Sequence, residues 1–333
     1  MMGINSDKIK QWAWEVGFDL VGVAPAETIA HAEALTSYLA KGYQGEMEYL
    51  AREVAQRVDP RVLVAGARSV ICVGLSYYVR ERGEEPAGEA EAAGRRKGGE
   101  GGESDRGDMR YGRVARYAWG RDYHVVMKER LERLAERIRS RGDGEARLRC
   151  CVDSAPVAEK SLAARAGLGW IGKNGLLLNE RFGSWLVLGE IVTDLELEAG
   201  EPAADRCGDC RRCLEACPTG ALVAERVLEA RRCISYLTIE SGREIPAALG
   251  KKLGDRLFGC DICQEVCPYN QRAVASPAGA FAARADWRRI KLAELLTMSE
   301  EAFARRYEGS CMVRAGLSHM QEVARAMRDS GGA

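Results

Sequence analysis

The chain contains no run of about 18 apolar residues, the length a helix needs to cross a bilayer. Its first segment, MMGINSDKIKQWAWEVG, has charged residues spaced through it and lacks the apolar core of a secretory signal. These absences argue against membrane insertion and export, and the expectation is a cytoplasmic protein with no membrane partner. Neither charge is in excess: 49 Lys and Arg balance 49 Asp and Glu. The whole molecule therefore offers no polyanion footprint, although a local basic face remains open. No GxGxxG follows a strand, and no GxxxxGK is followed by Ser or Thr. Neither a dinucleotide Rossmann site nor a phosphate-binding P-loop is supported. Histidine is scarce as well, present only as His31, His124 and His319.

Cysteine is abundant. Twelve would be heavy use in a reducing compartment unless most hold metal, because disulfides are uncommon there. Eight lie between Cys207 and Cys267, whereas Cys72, Cys150, Cys151 and Cys311 are scattered in apolar settings and read as core residues. The first run is Cys207-x2-Cys210-x2-Cys213-x3-Cys217-Pro218. In that spacing three thiolates wrap one [4Fe–4S] cubane while the fourth reaches a second. The next run, Cys260-x2-Cys263-x3-Cys267-Pro268, has Leu257 where a full pattern has cysteine, so Cys233 is expected to supply the missing ligand. The crossover rule assigns Cys207, Cys210, Cys213 and Cys267 to one cluster, and Cys217, Cys233, Cys260 and Cys263 to the other. Zinc also takes paired C-x2-C units, but x2, x2, x3 spacing closed by proline is hard to divide into tetrahedral pairs. Two clusters that are not themselves the catalyst form a wire for single electrons, and the preceding 200 or so residues must hold what they serve.

Those residues read as an ordinary globular unit, with 46% hydrophobic and 29% charged residues over the whole chain. Ser6 and Asp7 precede a periodic helix that Gly17 closes, and a second helix is expected from about Glu27 to Ala40. SVICVGLSYY reads as a buried strand. Residues 80–110 are rich in Gly and Glu with few large apolar side chains, and read as a flexible, solvated insertion. An amphipathic helix to about Arg141, the strand RLRCCVD, and a helix opening at Pro156 with Asp153 or Ser154 as cap follow. LLLN and SWLVLGEIV look like paired strands. The fold expected is α/β (α+β) over 1–200, a ferredoxin-like two-cluster domain over 201–275, and a C-terminal helical segment over 276–333 that packs back.

Residues 153–194, followed by CGDCRRCLEACPTGAL, CISYLTIE and GCDICQEVCPYN, closely resemble the epoxyqueuosine reductases, as do GYQGEMEYL and YAWGRDYH upstream. The resemblance covers most of residues 1–325. It implies that the first domain binds cobalamin and that the chain reduces the epoxide of epoxyqueuosine, at the wobble position of certain tRNAs, to the alkene of queuosine. It implies Asp153 as general acid, for which a raised pKa is expected from burial beside the corrin. Arg57, Tyr117, Tyr123, Lys173, Asn174 and Ser184 fall in motif segments of the cobalamin domain, and His124 is a further candidate there. None of the three histidines lies in a DxHxxG pattern, so the cobalt is expected to carry no protein histidine. Arg211, Arg212, Arg231 and Arg232 are candidates for tRNA phosphates. The expected partners are the epoxyqueuosine-bearing tRNA and a reductant such as flavodoxin or ferredoxin, with the chain a monomer. Many members continue into a helical tail resembling HEAT repeats, and without one less extended tRNA contacts are expected. The competing readings are a corrinoid reductive dehalogenase, against which the absence of a twin-arginine signal weighs, and a non-catalytic iron–sulfur carrier.

Overall fold

The strand Ser69–Ser76 is buried along its whole length, so both its faces need cover. Successive side chains of a strand point opposite ways. Accordingly Ile71, Val73 and Leu75 enter the apolar layer on one side of the sheet, and Val70 and Cys72 the layer on the other, which together make the first core. In the computed structural model, which describes residues 4–79, 110–141, 145–275, 281 and 283–330, four strands run in the spatial order Leu20–Pro25, Ser69–Ser76, Leu186–Thr193, Leu148–Cys151. Every neighbouring pair is antiparallel. The alternation of helices and strands therefore resolves to α+β: the chain returns reversed to its neighbour instead of crossing over. Apart from Arg110, the expected 80–110 insertion lies outside the described residues.

Helices Ser6–Val16 and Tyr123–Arg141 cover the first face, through Ile9, Ala13, Val126, Leu131, Leu134 and Ile138. The former starts where the Asn5 side chain accepts from the Lys8 N–H, one residue before the expected caps, and ends at Gly17 with φ 98°. The second helix is shorter than expected, Ala32–Ala40. Helix Glu159–Arg165 covers the other face through Leu162 and Ala163. It begins at Glu159 and not at Pro156, with Ala158 in capping position, so neither Asp153 nor Ser154 caps it. LLLN and SWLVLGEIV are not partners either. Leu177–Leu178 pairs with Trp170–Ile171, while Leu186–Thr193 joins the large sheet, where each edge of its backbone pairs with a strand. A lone bridge between Asn179 and Gly183 is what links the two segments.

A second core gathers Val114, Trp119, Phe258, Trp287, Phe303 and Met320, among others. Its three-stranded sheet has Tyr111–Val114 at the centre, parallel to Arg256–Phe258 and antiparallel to Arg289–Lys291. A segment placed before residue 200 by the expected division thus nucleates the layer on which the cysteine loops and the helix Gly316–Ser330 pack. Among the described residues no helix is long and apolar enough to cross a membrane.

The two cores are joined by buried polar groups. Ser184 N–H donates to Asn270 Oδ1 at 2.6 Å, Asn270 Nδ2 donates to Ser184 Oγ at 2.8 Å, and that hydroxyl donates to Gln264 Oε1 at 2.9 Å. Gln264 Nε2 reaches Asp261 Oδ1 at 3.1 Å, and Asp261 Oδ2 accepts from the Arg116 N–H at 2.8 Å. Gly183 permits this approach: a Cβ there would lie 1.9 Å from Asn270 Oδ1, and its φ is +59°. Buried donors and acceptors cost most when one partner is removed. Asn270→Ala is expected to destabilise the protein by about 2–4 kcal/mol in chemical denaturation, since it strands the buried Ser184 N–H and empties the junction. A loss below about 0.5 kcal/mol would show that the network does not hold the interface.

Candidate active site and cluster loops

Cys207, Cys210, Cys213 and Cys267 line one cavity of about 210 Å³. The remaining four cysteines of the motif form a second neighbourhood, in which Cys233 senses the charge of Cys217, and Cys260 and Cys263 sense that of Cys233. Cys213 also acts on Cys263, so the two neighbourhoods adjoin. Among the described residues no three His, Cys, Asp or Glu side chains converge closely enough to hold a single metal ion. Four thiols spread around a cavity fit a cubane, which is larger than an ion, and do not fit tetrahedral zinc.

An aromatic chain leads away from the second neighbourhood. Phe258, two residues before Cys260, meets Tyr117 with ring centroids 6.1 Å apart; Tyr117 meets Tyr123 edge-on at 6.0 Å; and Tyr123 stacks on His124 at 4.0 Å. At its end stands Asp153. Its Oδ2 accepts from the Tyr123 hydroxyl at 2.9 Å and lies 2.9 Å from His124 Nε2. His124 Nδ1 lies 2.7 Å from Asp122 Oδ1, which also accepts the His124 backbone N–H at 2.9 Å. Both ring nitrogens thus face carboxylate oxygens, which accept hydrogen bonds, so the ring carries two protons and a positive charge. Burial alone would lower its pKa, but Asp122 and Asp153 push it up to about 9.

The Asp153 carboxyl in this structure is held low. Burial acts upward, but the His124 cation and the Tyr123 hydroxyl outweigh it and hold the carboxyl below its ordinary value. The side chain is 53% exposed, so its desolvation is incomplete. Asp153 itself has φ 39°, the left-handed region that a non-glycine residue seldom occupies. Its backbone N–H donates to Glu159 Oε1. Sequence reasoning passed over Glu159, Asp122 and the fully buried Glu190; of these only Glu190, a lone charge inside the apolar run SWLVLGEIV, left a readable signal.

The nominated cofactor residues divide. Arg57, Tyr117, Tyr123 and His124 lie on the Asp153 side: Tyr123 and His124 contact its carboxylate, Tyr117 meets Tyr123, and Arg57 donates to the carbonyl of Tyr49, which senses both Arg57 and Asp153. Arg57 Nε is buried without a hydrogen-bond partner, and so is Asn174 Nδ2, although Asn174 lines the first cysteine cavity. Lys173 is buried rather than solvated and pairs with Glu225 at 2.9 Å. Ser184 spends its hydroxyl on the interface network. Of the basic candidates, Arg211 pairs with Glu225 at 3.5 Å, and Arg231 and Arg232 with Glu229 at 2.7 and 3.9 Å, so their charge is partly spent within the protein.

An α+β layer with an acid site, joined by aromatic rings to a domain built for two [4Fe–4S] clusters, defines an iron–sulfur oxidoreductase. Residues 206–270 match a family described as a 4Fe-4S double cluster binding domain, and residues 57–154 match "Epoxyqueuosine reductase QueG, DUF1730". An epoxyqueuosine reductase of Pseudomonas aeruginosa is 43% identical over 314 residues, covering 93% of this chain and 81% of the relative. Among solved structures, an epoxyqueuosine reductase with a tRNA-Tyr epoxyqueuosine-modified stem loop superposes with a TM-score of 0.84 at 29% identity, over 98% of this chain and 81% of that one. A Bacillus subtilis epoxyqueuosine reductase, solved with its catalytic aspartate loop swung out of the active site, gives 0.84 at 28% identity, over 98% and 81%. The chain belongs to the epoxyqueuosine reductase family.

Because the folded pKa of His124 lies above its ordinary 6.5, its contacts contribute stability fully present below pH 6.5 and lost as pH rises through about 9. In NMR of histidine-labelled protein, His124 should titrate near pH 9, and Asp153→Asn should lower that midpoint. A midpoint near 6.5 in the unsubstituted protein would mean that the carboxylates do not hold the cation.

Proposed function

We propose that this chain reduces epoxyqueuosine to queuosine at the wobble position of tRNA, with two [4Fe–4S] clusters as its electron wire and a cobalamin as the oxygen-abstracting cofactor. One observation carries the reading: the half-exposed Asp153 stands against a histidine cation, at the end of an aromatic chain that begins beside Cys260. Electrons and a proton thereby reach one place. Family membership supplies the substrate.

The ligand sets follow the two neighbourhoods: Cys207, Cys210, Cys213 and Cys267 for one cluster, Cys217, Cys233, Cys260 and Cys263 for the other. The unpartnered buried donors of Arg57 and Asn174 suit a ligand rich in acceptors, as the amide arms of a corrin are. Tyr117, Tyr123 and His124 offer ring faces beside Asp153, while Lys173 lines the first cysteine cavity and Ser184 holds the interface next to it. Cobalamin, when bound, supplies low-valent cobalt able to draw oxygen from a strained ring.

The reaction consumes two electrons and two protons: both C–O bonds of the epoxide break, a C=C bond forms, and the oxygen leaves as water. Asp153 delivers the first proton. In the free protein that proton resides on His124, and the pair titrates as a unit. Covering the half-exposed carboxylate with substrate raises its proton affinity, which draws the proton across the 2.9 Å contact toward the developing oxyanion. We read residues 153–158, between the strand Leu148–Cys151 and the helix Glu159–Arg165, as the loop that carries the acid. Residues 1–200 form the cofactor unit with the strand Tyr111–Val114 shared, 201–275 the cluster unit, and 276–333 its helical cover. We place the chain in the cytoplasm as a monomer reduced by a flavodoxin or ferredoxin.

Anaerobic turnover of epoxyqueuosine-bearing tRNA by reconstituted protein, read by nucleoside mass spectrometry, should show cobalamin-dependent loss of one oxygen. Asp153→Ala should lower kcat by about 100-fold or more, the usual span of a lost general acid. No turnover by protein with intact clusters and bound cobalamin would refute the substrate. Cys233→Ala should damage one cluster and spare the other, and an unchanged two-cluster EPR signal in the reduced variant would overturn the crossover ligation.

A further inference from the structure

Glu159 and Glu190 lie outside the machinery just described, yet they sit directly beneath it. Glu190 is fully buried in the strand Leu186–Thr193, opposite Cys72 on one neighbouring strand and Cys151 on the other. Both its carboxyl oxygens lack a hydrogen-bond partner. Strand alternation places it with Leu188 and Val192 on the sheet face that helix Glu159–Arg165 covers. An unpaired carboxylate in such a place is far costlier than a neutral acid, so Glu190 carries its proton. Glu159 opens that helix, and its charge, after burial, is what keeps the proton on Glu190. Its own carboxylate accepts the backbone N–H of Asp153, at the point where the chain takes its left-handed φ of 39°.

We propose that Glu159, backed by the protonated Glu190, is the positioning residue for Asp153: its carboxyl group anchors the Asp153 N–H, holds the strained backbone, and keeps the Asp153 loop turned into the cleft. A left-handed aspartate costs free energy that a local anchor must offset. That N–H is the one backbone donor able to fix the residue without occupying its side chain, which is left free for Tyr123, His124 and substrate. Other charged groups press on the same anchor: Asp153 above it, Lys160 beside it, and His124 from the start of helix Tyr123–Arg141. Burial and Asp153 together push the Glu159 carboxyl upward, and a carboxyl oxygen accepts the N–H in either protonation state. Glu159 touches no reacting atom; it acts through Asp153.

This inference rests on the reading of Asp153 as the acid, and two readouts keep the two apart. Amide hydrogen exchange across 152–158, measured on the reconstituted holoenzyme without tRNA, reads the anchor alone. Glu159→Ala should speed exchange of the Asp153 amide by about tenfold or more. In turnover it should lower kcat by about tenfold with KM for tRNA within about twofold, because a misplaced acid is a transition-state loss. Glu159→Gln keeps a carbonyl acceptor and should stay within about threefold of the unsubstituted protein in both readouts. Glu190→Gln, a neutral isostere of the protonated acid, should do the same. Unchanged exchange in Glu159→Ala, or equal damage from Glu159→Ala and Glu159→Gln, overturns the anchor. A large loss in Glu190→Gln overturns its protonated state. If Glu159→Ala does not fold, Glu159→Asp, which withdraws the carboxylate by one methylene, puts the same question. Absence of turnover in the unsubstituted protein bears on the substrate and leaves the exchange result decisive.

Discussion

The amide of Asn270 bonds the backbone and hydroxyl of Ser184 on one side and the backbone of Gln264 on the other, and the rest of the architecture depends on that junction. Gln264 follows Cys263 directly, and Asn270 lies three residues after Cys267. The same bonds that join the two cores therefore seat both cysteine loops. Apolar packing alone would let these surfaces slide; directional bonds between buried groups allow one register. Single-electron delivery needs a fixed path, and a junction of this kind provides one. Arg116, whose N–H binds Asp261 and whose guanidinium lies over Trp119 and Trp185, extends the lock to the segment that carries Tyr117.

At the far end of that path the chemistry is electrostatic. A carboxylate half open to solvent and bonded to a cation is a poor acid in the free protein, and that is the state observed for Asp153. On the function proposed above, the arrangement keeps the proton on His124, between two acceptors, until substrate displaces solvent from Asp153. Acid strength then depends on occupancy, which protects the site from giving up its proton when no substrate is present. Beneath it, the buried Glu190 keeps a polar group where an apolar one would pack better, an expense that has a reason only if the loop above needs support.

Much of this was legible from residue spacing. The cysteine runs specify cluster chemistry because thiolate geometry around a cubane is local, and the need for Cys233 follows from Leu257 standing in a ligand position. Periodicity marked the helices Ser6–Val16 and Tyr123–Arg141, whose apolar stripes repeat within their own turns. Where partners are distant the reading failed. The strand Leu186–Thr193 takes neighbours from residues 69–76 and 148–151, not from the adjacent segment, and Tyr111–Val114 joins strands more than 140 residues away. Nothing local in those short runs encodes the choice.

By itself, then, the sequence determined the cluster domain and the set of cysteines that serve it, because they are written in residues close together along the chain, and its motifs pointed by resemblance to the family and to Asp153. The tertiary structure decided the antiparallel order of the sheet, the low proton affinity of Asp153, and the placement of Asp122, Glu159 and Glu190 around it. Those properties arise from groups brought together out of separate elements, where burial and neighbouring charge, not residue type, set the outcome.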